Sequence, residues 1–164
     1  MNINSLTASW ESIFRNANTT TADNDLSNNL NIRVKKISSG VEGSHEILPT
    51  INIQYPLVLI ESVDAAHEFE SVGRNARRNI EFSFNIVAIT HYGLGTGDEG
   101  QGRKNADKES MELAANIETI IRNNINMCST VDYAWVDNAS YSSKFGEKAY
   151  NALSKISVKA RKIV

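Results

Sequence analysis

Asn79-Ile80-Glu81-Phe82-Ser83-Phe84-Asn85-Ile86-Val87-Ala88-Ile89-Thr90-His91-Tyr92 is the stretch that decides the fold. Ile80, Phe82, Phe84 and Ile86 alternate with Glu81, Ser83 and Asn85, and a period of two places each set on its own face of a β-strand. Val87 and Ile89 bury the second face too, so this strand starts half-covered and ends fully covered.

On the N-terminal side, Leu57-Val58-Leu59-Ile60 is apolar on both faces and reads as an internal strand, with Pro56 at its start where a missing donor is tolerated. Residues 64–79 are mostly polar, hold three arginines and read as a long excursion outside the core. Further back, Leu30, Ile32 and Val34 alternate with polar neighbours as a half-buried strand, residues 38–43 make a turn, and a short strand is expected around Ile51 and Ile53. Leu6, Trp10, Ile13 and Phe14 stand at i, i+4, i+7 and i+8, one face of an amphipathic helix over about residues 5–17. The polar run of residues 18–25 ends it.

On the C-terminal side, residues 93–102 hold five glycines, Gly93, Gly95, Gly97, Gly100 and Gly102, and read as a loop. A helix is expected from about 105 to 124, with Met111, Ala114, Ile117, Ile121 and Ile125 on one stripe and Leu113 and Ile120 widening it. Val131, Tyr133 and Trp135 give an alternating strand, and the last strand sets Ile156, Val158 and Ala160 inward against Ser157, Lys159 and Arg161. Without regular βαβ alternation, the order predicts a single α+β domain over residues 1–164: a mainly antiparallel mixed sheet packed on one face by an N-terminal and a central helix.

The 164 residues suit one domain, and a chain of this size buries roughly 70% of its unfolded surface. Seventeen basic and nineteen acidic residues leave a net charge of −2, which draws the whole molecule to neither nucleic acid nor anionic membrane. The charge is uneven: residues 1–102 hold 7 basic and 12 acidic side chains, residues 103–164 hold 10 and 7. That asymmetry suits subunits docking opposite faces. Cys128 is the one cysteine, so an internal disulfide is impossible, in keeping with a reducing compartment. No basic head with an apolar run opens the chain and no apolar stretch is long enough to span a bilayer, so the expectation is a cytosol-made protein with no membrane partner.

The glycine stretch is the one motif that resembles a cofactor site. Gly95, Gly97 and Gly100 match the spacing of a dinucleotide fingerprint. The expected helix starts some five residues after Gly100, however, and Asp98 and Glu99 would repel phosphate there. The P-loop spacing fails because Arg103 and Lys104 replace the lysine and hydroxyl residue it needs. A plain loop with no cofactor is expected. His45, His67 and His91 stand far apart and, with one cysteine, make no zinc set. A nucleophilic Cys128 would need a histidine delivered by the fold. Glu68 with Glu70, and Asp98 with Glu99, read as hydrated loop carboxylates.

Two basic groups remain: Arg74, Arg77 and Arg78 before the long strand, and Lys155, Lys159, Arg161 and Lys162 on the last one. They read as solvated faces, or as contacts for an acidic protein or for passing DNA. The absence of interleaved aromatics from the arginine group argues against base stacking.

From Tyr55 onward, Tyr55-Pro56-Leu57-Val58-Leu59-Ile60-Glu61, the polar excursion, the strand of residues 79–92, the Gly/Asp-rich loop, the helix beginning Ala106-Asp107-Lys108-Glu109-Ser110-Met111-Glu112-Leu113-Ala114 and two closing strands resemble the tail terminator, or tail completion, proteins of long-tailed bacteriophages. The resemblance covers about two-thirds of the chain and lies in the order of elements. It implies a non-enzymatic virion protein of the tail end, assembled in the host cytoplasm as a ring, usually a hexamer. The ring would cap the tail-tube protein, meet a neck or connector protein, and let DNA pass its lumen without reading it. In that reading the loops carrying Arg74, Arg77 and Arg78, and Gly95, Gly97, Asp98 and Glu99, together with Lys159 and Arg161, are interface candidates. The alternatives are a head-completion or neck connector subunit, a nucleotide-binding enzyme using residues 93–102, and a small cytosolic adaptor.

Overall fold

The structure, a computed structural model, describes residues 3–17, 36–39, 55–69, 78–93, 99–127, 129–145 and 149–164. In chain order they form α1 (Ile3–Ala17), β1 (Lys36–Ser39), β2 (Leu57–Phe69), β3 (Arg78–Gly93), α2 (Glu99–Asn123), β4 (Tyr133–Phe145) and β5 (Ala149–Ile163). The strands make one sheet in the order β1-β2-β3-β5-β4. β1 and β2 run parallel, and every other neighbouring pair is antiparallel. The fold is the expected α+β arrangement.

The period-two pattern of β3 sorts its side chains as read. Ile80, Phe82, Phe84, Ile86 and Ala88 share a buried cluster with Val58 and Ile60 of β2 and with Ile156, Val158 and Ala160 of β5. Leu6, Trp10, Phe14 and Ala17 of α1 and Leu113, Ala114, Ile117, Ile120 and Ile121 of α2 complete it, so both helices cover this one face. Fully burying Leu6, Trp10 and Phe14 contributes about 2 kcal/mol each, which holds α1 in place. The Arg15 guanidinium adds a 2.8 Å hydrogen bond to the Ile37 carbonyl of β1. On the opposite face Leu57, Leu59, Val87, Ile89 and Leu153 form a second apolar cluster, where the sequence of β3 becomes apolar on both sides.

Several boundaries and faces differ from expectation. The polar excursion is shorter than residues 64–79: β2 continues to Phe69 and β3 begins at Arg78, paired from Asp64↔Ser83 to Phe69↔Arg78 beyond a β-bulge at Ser62/Asp64. Polarity reports burial, and a strand keeps its backbone ladder whether or not its own side chains are buried. Ser38 and Ser39 belong to β1 and pair with Leu59 and Ile60 rather than opening a turn. α2 starts at Glu99, about two turns earlier than the apolar stripe announces, because its first turns face small and aromatic residues.

The stripe of α2 is also rotated. Met111 and Ile125 are 48% and 52% exposed, and the buried line runs through Ala106, Ser110, Leu113, Ala114, Ile117, Ile120 and Ile121. In β4 the buried side chain is Ala134, whose register partner is Ala160, and the half-buried Val136 packs against the same core. Tyr133 and Trp135 turn to the other face. The expected strands at 30–34 and 51–53 and the loop at 18–25 lie outside the described residues.

Candidate docking surface

The face of the sheet away from the helices carries the most concentrated exposed chemistry. Cross-strand register builds it. Glu81 of β3 lies opposite Arg161 of β5, which lies opposite Tyr133 of β4. One step along, Ser83, Lys159 and Trp135 form the next row, then Asn85, Ser157 and Asn138. A β-bulge between Val136 and Asn138 inserts Asp137 beside this ladder and turns its carboxylate to Lys159.

Glu81 organises the charges by using both carboxylate oxygens: Oε2 accepts from Arg161 Nη2 at 3.2 Å and Oε1 pairs with Lys159 Nζ at 3.7 Å. Lys159 Nζ also stands 3.5 Å from Asp137 Oδ1. Ser157 Oγ donates to Asn85 Oδ1 at 3.2 Å. These side chains are 29–43% exposed, so the ion pairs add only about 0.2–1 kcal/mol each to stability. Their effect is positional. They hold the Arg161 guanidinium 5.8 Å from the centre of the Tyr133 ring, which itself stacks on Trp135 at 5.3 Å and 28°. Tyr133 is 40% exposed and Ile163, next outward on β5, is 47% exposed. Pre-positioned Tyr, Trp and Arg side chains on a rigid sheet are the composition that carries binding energy at protein interfaces.

Of the interface candidates read from sequence, Lys159 and Arg161 sit at the centre of this surface. Arg78 is exposed at the same end of the sheet, its backbone N and O paired with Val164 O and N at 2.9 Å each, but the register turns it to the helix side. The structure thus brings part of both basic groups to one end, with Arg78 on the face opposite to Lys159 and Arg161. Arg74, Arg77, Gly95, Gly97 and Asp98 lie outside the described residues, and Glu99 opens α2. Sequence reasoning missed Tyr133, Trp135, Glu81 and Asp137. Tyr133 and Trp135 alternate with Ala134 and Val136, and the alternation alone does not say which pair meets the core.

The glycine corner resolves differently from its sequence reading. Because α2 starts at Glu99, Gly100 and Gly102 are helical, and the position of the helix no longer argues against a phosphate cradle. The packing supplies its own reason for one glycine: a Cβ at Gly102 would overlap the Tyr92 ring. Beneath it the Tyr150 hydroxyl donates to Asp107 Oδ1 at 2.6 Å, and burial followed by that hydrogen bond raises the Tyr150 pKa. Thr90 Oγ1 donates to the Ala106 carbonyl at 2.6 Å. His91, exposed at the end of β3, stacks on Tyr55 at 4.8 Å, with Nδ1 2.9 Å from Asn151 Oδ1. Among the described residues no group of three or more His, Cys, Asp or Glu side chains is placed to hold a metal ion, and no helix is long and apolar enough to cross a membrane.

Compared with protein-family models and with curated proteins, the chain finds no match.

Proposed function

We propose that the chain is a structural subunit of a virion tail, a tail terminator that assembles as a ring on the end of the tail tube and offers the joining surface to the neck. The observation that carries this reading is the Tyr133–Trp135–Arg161 surface, held rigid by Glu81 on a sheet whose other face is occupied by its own helices. It is built to dock, with aromatic area and a guanidinium presented together. The order of elements agrees with the resemblance read from residue 55 onward.

The test is to add the chain to the tail-tube protein of the same virion while tubes polymerise, and to measure tube lengths by negative-stain microscopy. Capping shortens the tubes and places a ring at one end, and Trp135→Ala with Arg161→Glu restores long tubes while leaving the circular dichroism spectrum unchanged. Tubes that grow to full length in excess wild-type chain would refute the reading. Binding to the head vertex alone would move the chain to the neck.

A further inference from the structure

We infer that two copies of this chain join edge to edge through β4, antiparallel about a two-fold axis at Tyr141, so that their sheets run on as one. The inference goes beyond the tail reading and concerns a different surface from the Tyr133–Trp135 face.

β4 ends the sheet, so one side of its backbone has no strand partner among the described residues. Beyond the bulge at Val136/Asn138, the run from Asn138 to Phe145 keeps regular register with β5. Asn138, Ser140 and Ser142 on one face are exposed, and so are Tyr141 and Ser143 on the other. The run Asn-Ala-Ser-Tyr-Ser-Ser-Lys-Phe has no proline and no carboxylate, and its one lysine is next to last. An edge this regular and this little blunted is a template for another strand.

The strand that fits it is a second β4, because the run complements itself. A two-fold axis perpendicular to the sheet keeps every side chain on its own face, and directly opposed residues share a face. The numbers of opposed residues must therefore sum to an even value. Centred on Tyr141, the pairing sets Asn138 against Lys144, Ala139 against Ser143 and Ser140 against Ser142 of the other copy. No like charges meet, and the one large exposed pair is Tyr141 against Tyr141, a favourable cross-strand combination. Each Lys144 then lies one residue from the other copy's Asp137, which is the nearest carboxylate along the edge. Moving the centre to Ser140 runs Lys144 into the bulge at Val136. Moving it to Ser142 parts the tyrosines and takes Lys144 away from Asp137.

The helix side supplies apolar surface to cover. Ser110 Oγ of α2 lies 2.6 Å from Ser154 Oγ of β5, and Ser154 pairs with Tyr141, so Tyr141 is on the helix side of β4. It is 53% exposed. Asp107 accepts the hydroxyl of Tyr150, which pairs with Phe145 of β4, so this flank of α2 looks toward β5 and β4. Met111 stands one turn further along that flank and is 48% exposed. The axis sets both Tyr141 rings side by side between the two α2 flanks. It also keeps the helices of both copies on one side of the joined sheet and both Tyr133–Trp135 faces on the other. A closed assembly built from such pairs holds an even number of chains.

Sedimentation equilibrium on the full chain is the first test. Wild type is expected to be mostly dimeric at about 100 μM, well above the dissociation constant of a micromolar contact. Tyr141→Lys sets two like charges against each other and is expected to weaken the dimer about 100-fold, with an unchanged unfolding midpoint of the monomer. Ala8→Lys, exposed on α1, dimerises as wild type does. The axis is read by cross-linking in a Cys128→Ser background. Tyr141→Cys should give a covalent dimer on mild oxidation, because opposed Cα atoms stand about 4.5–5.5 Å apart, within disulfide reach. Ser143→Cys should not, since its two copies would lie about 14 Å apart. A wild type that stays monomeric at about 100 μM overturns the inference and leaves tube capping to its own test. A dimer that survives Tyr141→Lys, or in which Ser143→Cys cross-links as readily as Tyr141→Cys, overturns the β4 contact.

Discussion

Gly102→Ala tests what the glycine-rich corner is for. Inside a helix alanine is preferred to glycine by about 1 kcal/mol, so on propensity alone the substitution stabilises α2. The packing reverses the sign. The new methyl would occupy the space of the Tyr92 ring, and that ring packs on Ala106, Tyr150 and Ala152. Either the first turns of α2 lift or the ring swings into solvent. Overpacking of this kind costs about 1–3 kcal/mol. Swinging out a half-buried tyrosine forfeits about 1 kcal/mol of burial, which falls in the same range. After the propensity gain the net loss is about 1 kcal/mol, with about 2 kcal/mol as the upper end. Tyr92→Ala removes the obstacle, and in that background Gly102→Ala should stabilise by up to about 1 kcal/mol. Urea unfolding of the four proteins, followed by circular dichroism, closes the cycle with a coupling of about 2 kcal/mol. A stabilising Gly102→Ala in the wild-type background, or equal effects in both, would refute the reasoning. The glycine would then serve a close backbone approach to some other group, and the phosphate reading would reopen.

Two further substitutions probe the core. Trp10 is fully buried and stacks on Phe14, but its indole Nε1 has no hydrogen-bond partner among the described residues. Trp10→Phe trades lost burial for relief of an unsatisfied donor and should fall within about 1 kcal/mol of wild type, while Trp10→Ala should lose about 3–5 kcal/mol. A phenylalanine variant as unstable as the alanine one in urea would show that the N–H is satisfied in solution. Burial first, and then the nearby Glu112 carboxylate, raise the Glu109 pKa above its ordinary 4.5. A raised folded-state value means that protonation favours the native state, so the wild-type chain loses stability as pH climbs through that value. Glu109→Gln should therefore raise the melting temperature at pH 7, and the gain should vanish below about pH 4, where both states carry the proton. An equal gain at both pH values would point to helix propensity instead.

The elements legible in the sequence were those whose side chains report burial directly. β3 and β5 alternate cleanly because one face meets the core and the other does not. α1 declares itself through Leu6, Trp10 and Phe14. Illegible were the parts decided by pairing and register. The extension of β2 through Asp64 and Glu68 is fixed by the ladder with β3, to which polar side chains are indifferent. The first turns of α2 carry Gly100, Gly102 and Ala106, too small to draw a stripe, yet they sit on Tyr92 and Tyr150. The candidate surface was half visible: Lys159 and Arg161 read outward, but the alternation of Val131, Tyr133 and Trp135 gives no face to the rings. Only the register Tyr133↔Arg161 and the bulge after Val136 show that the small residue Ala134 fills the core and the rings do not.

On the proposed reading, that arrangement bears on how an assembling subunit avoids associating too early. A purely apolar patch of the same size would be drawn into the core during folding or would recruit other copies indiscriminately. On the outer face here, the two cations beside the rings already have intramolecular carboxylates: Arg161 has Glu81, and Lys159 has Glu81 and Asp137. Neither Arg161 nor Lys159 is left without a carboxylate, and the rings of Tyr133 and Trp135 stack on each other. Docking changes the balance without moving these groups. Excluding water lowers the local dielectric and strengthens the same ion pairs, while the aromatic area becomes covered. Preorganised in this way, the surface gives up little side-chain entropy on binding. On the proposed reading, Glu81→Gln should then weaken docking more than it weakens folding, because in the free chain the pairs are worth little. A variant that unfolds at markedly lower urea yet caps tubes normally would break the argument.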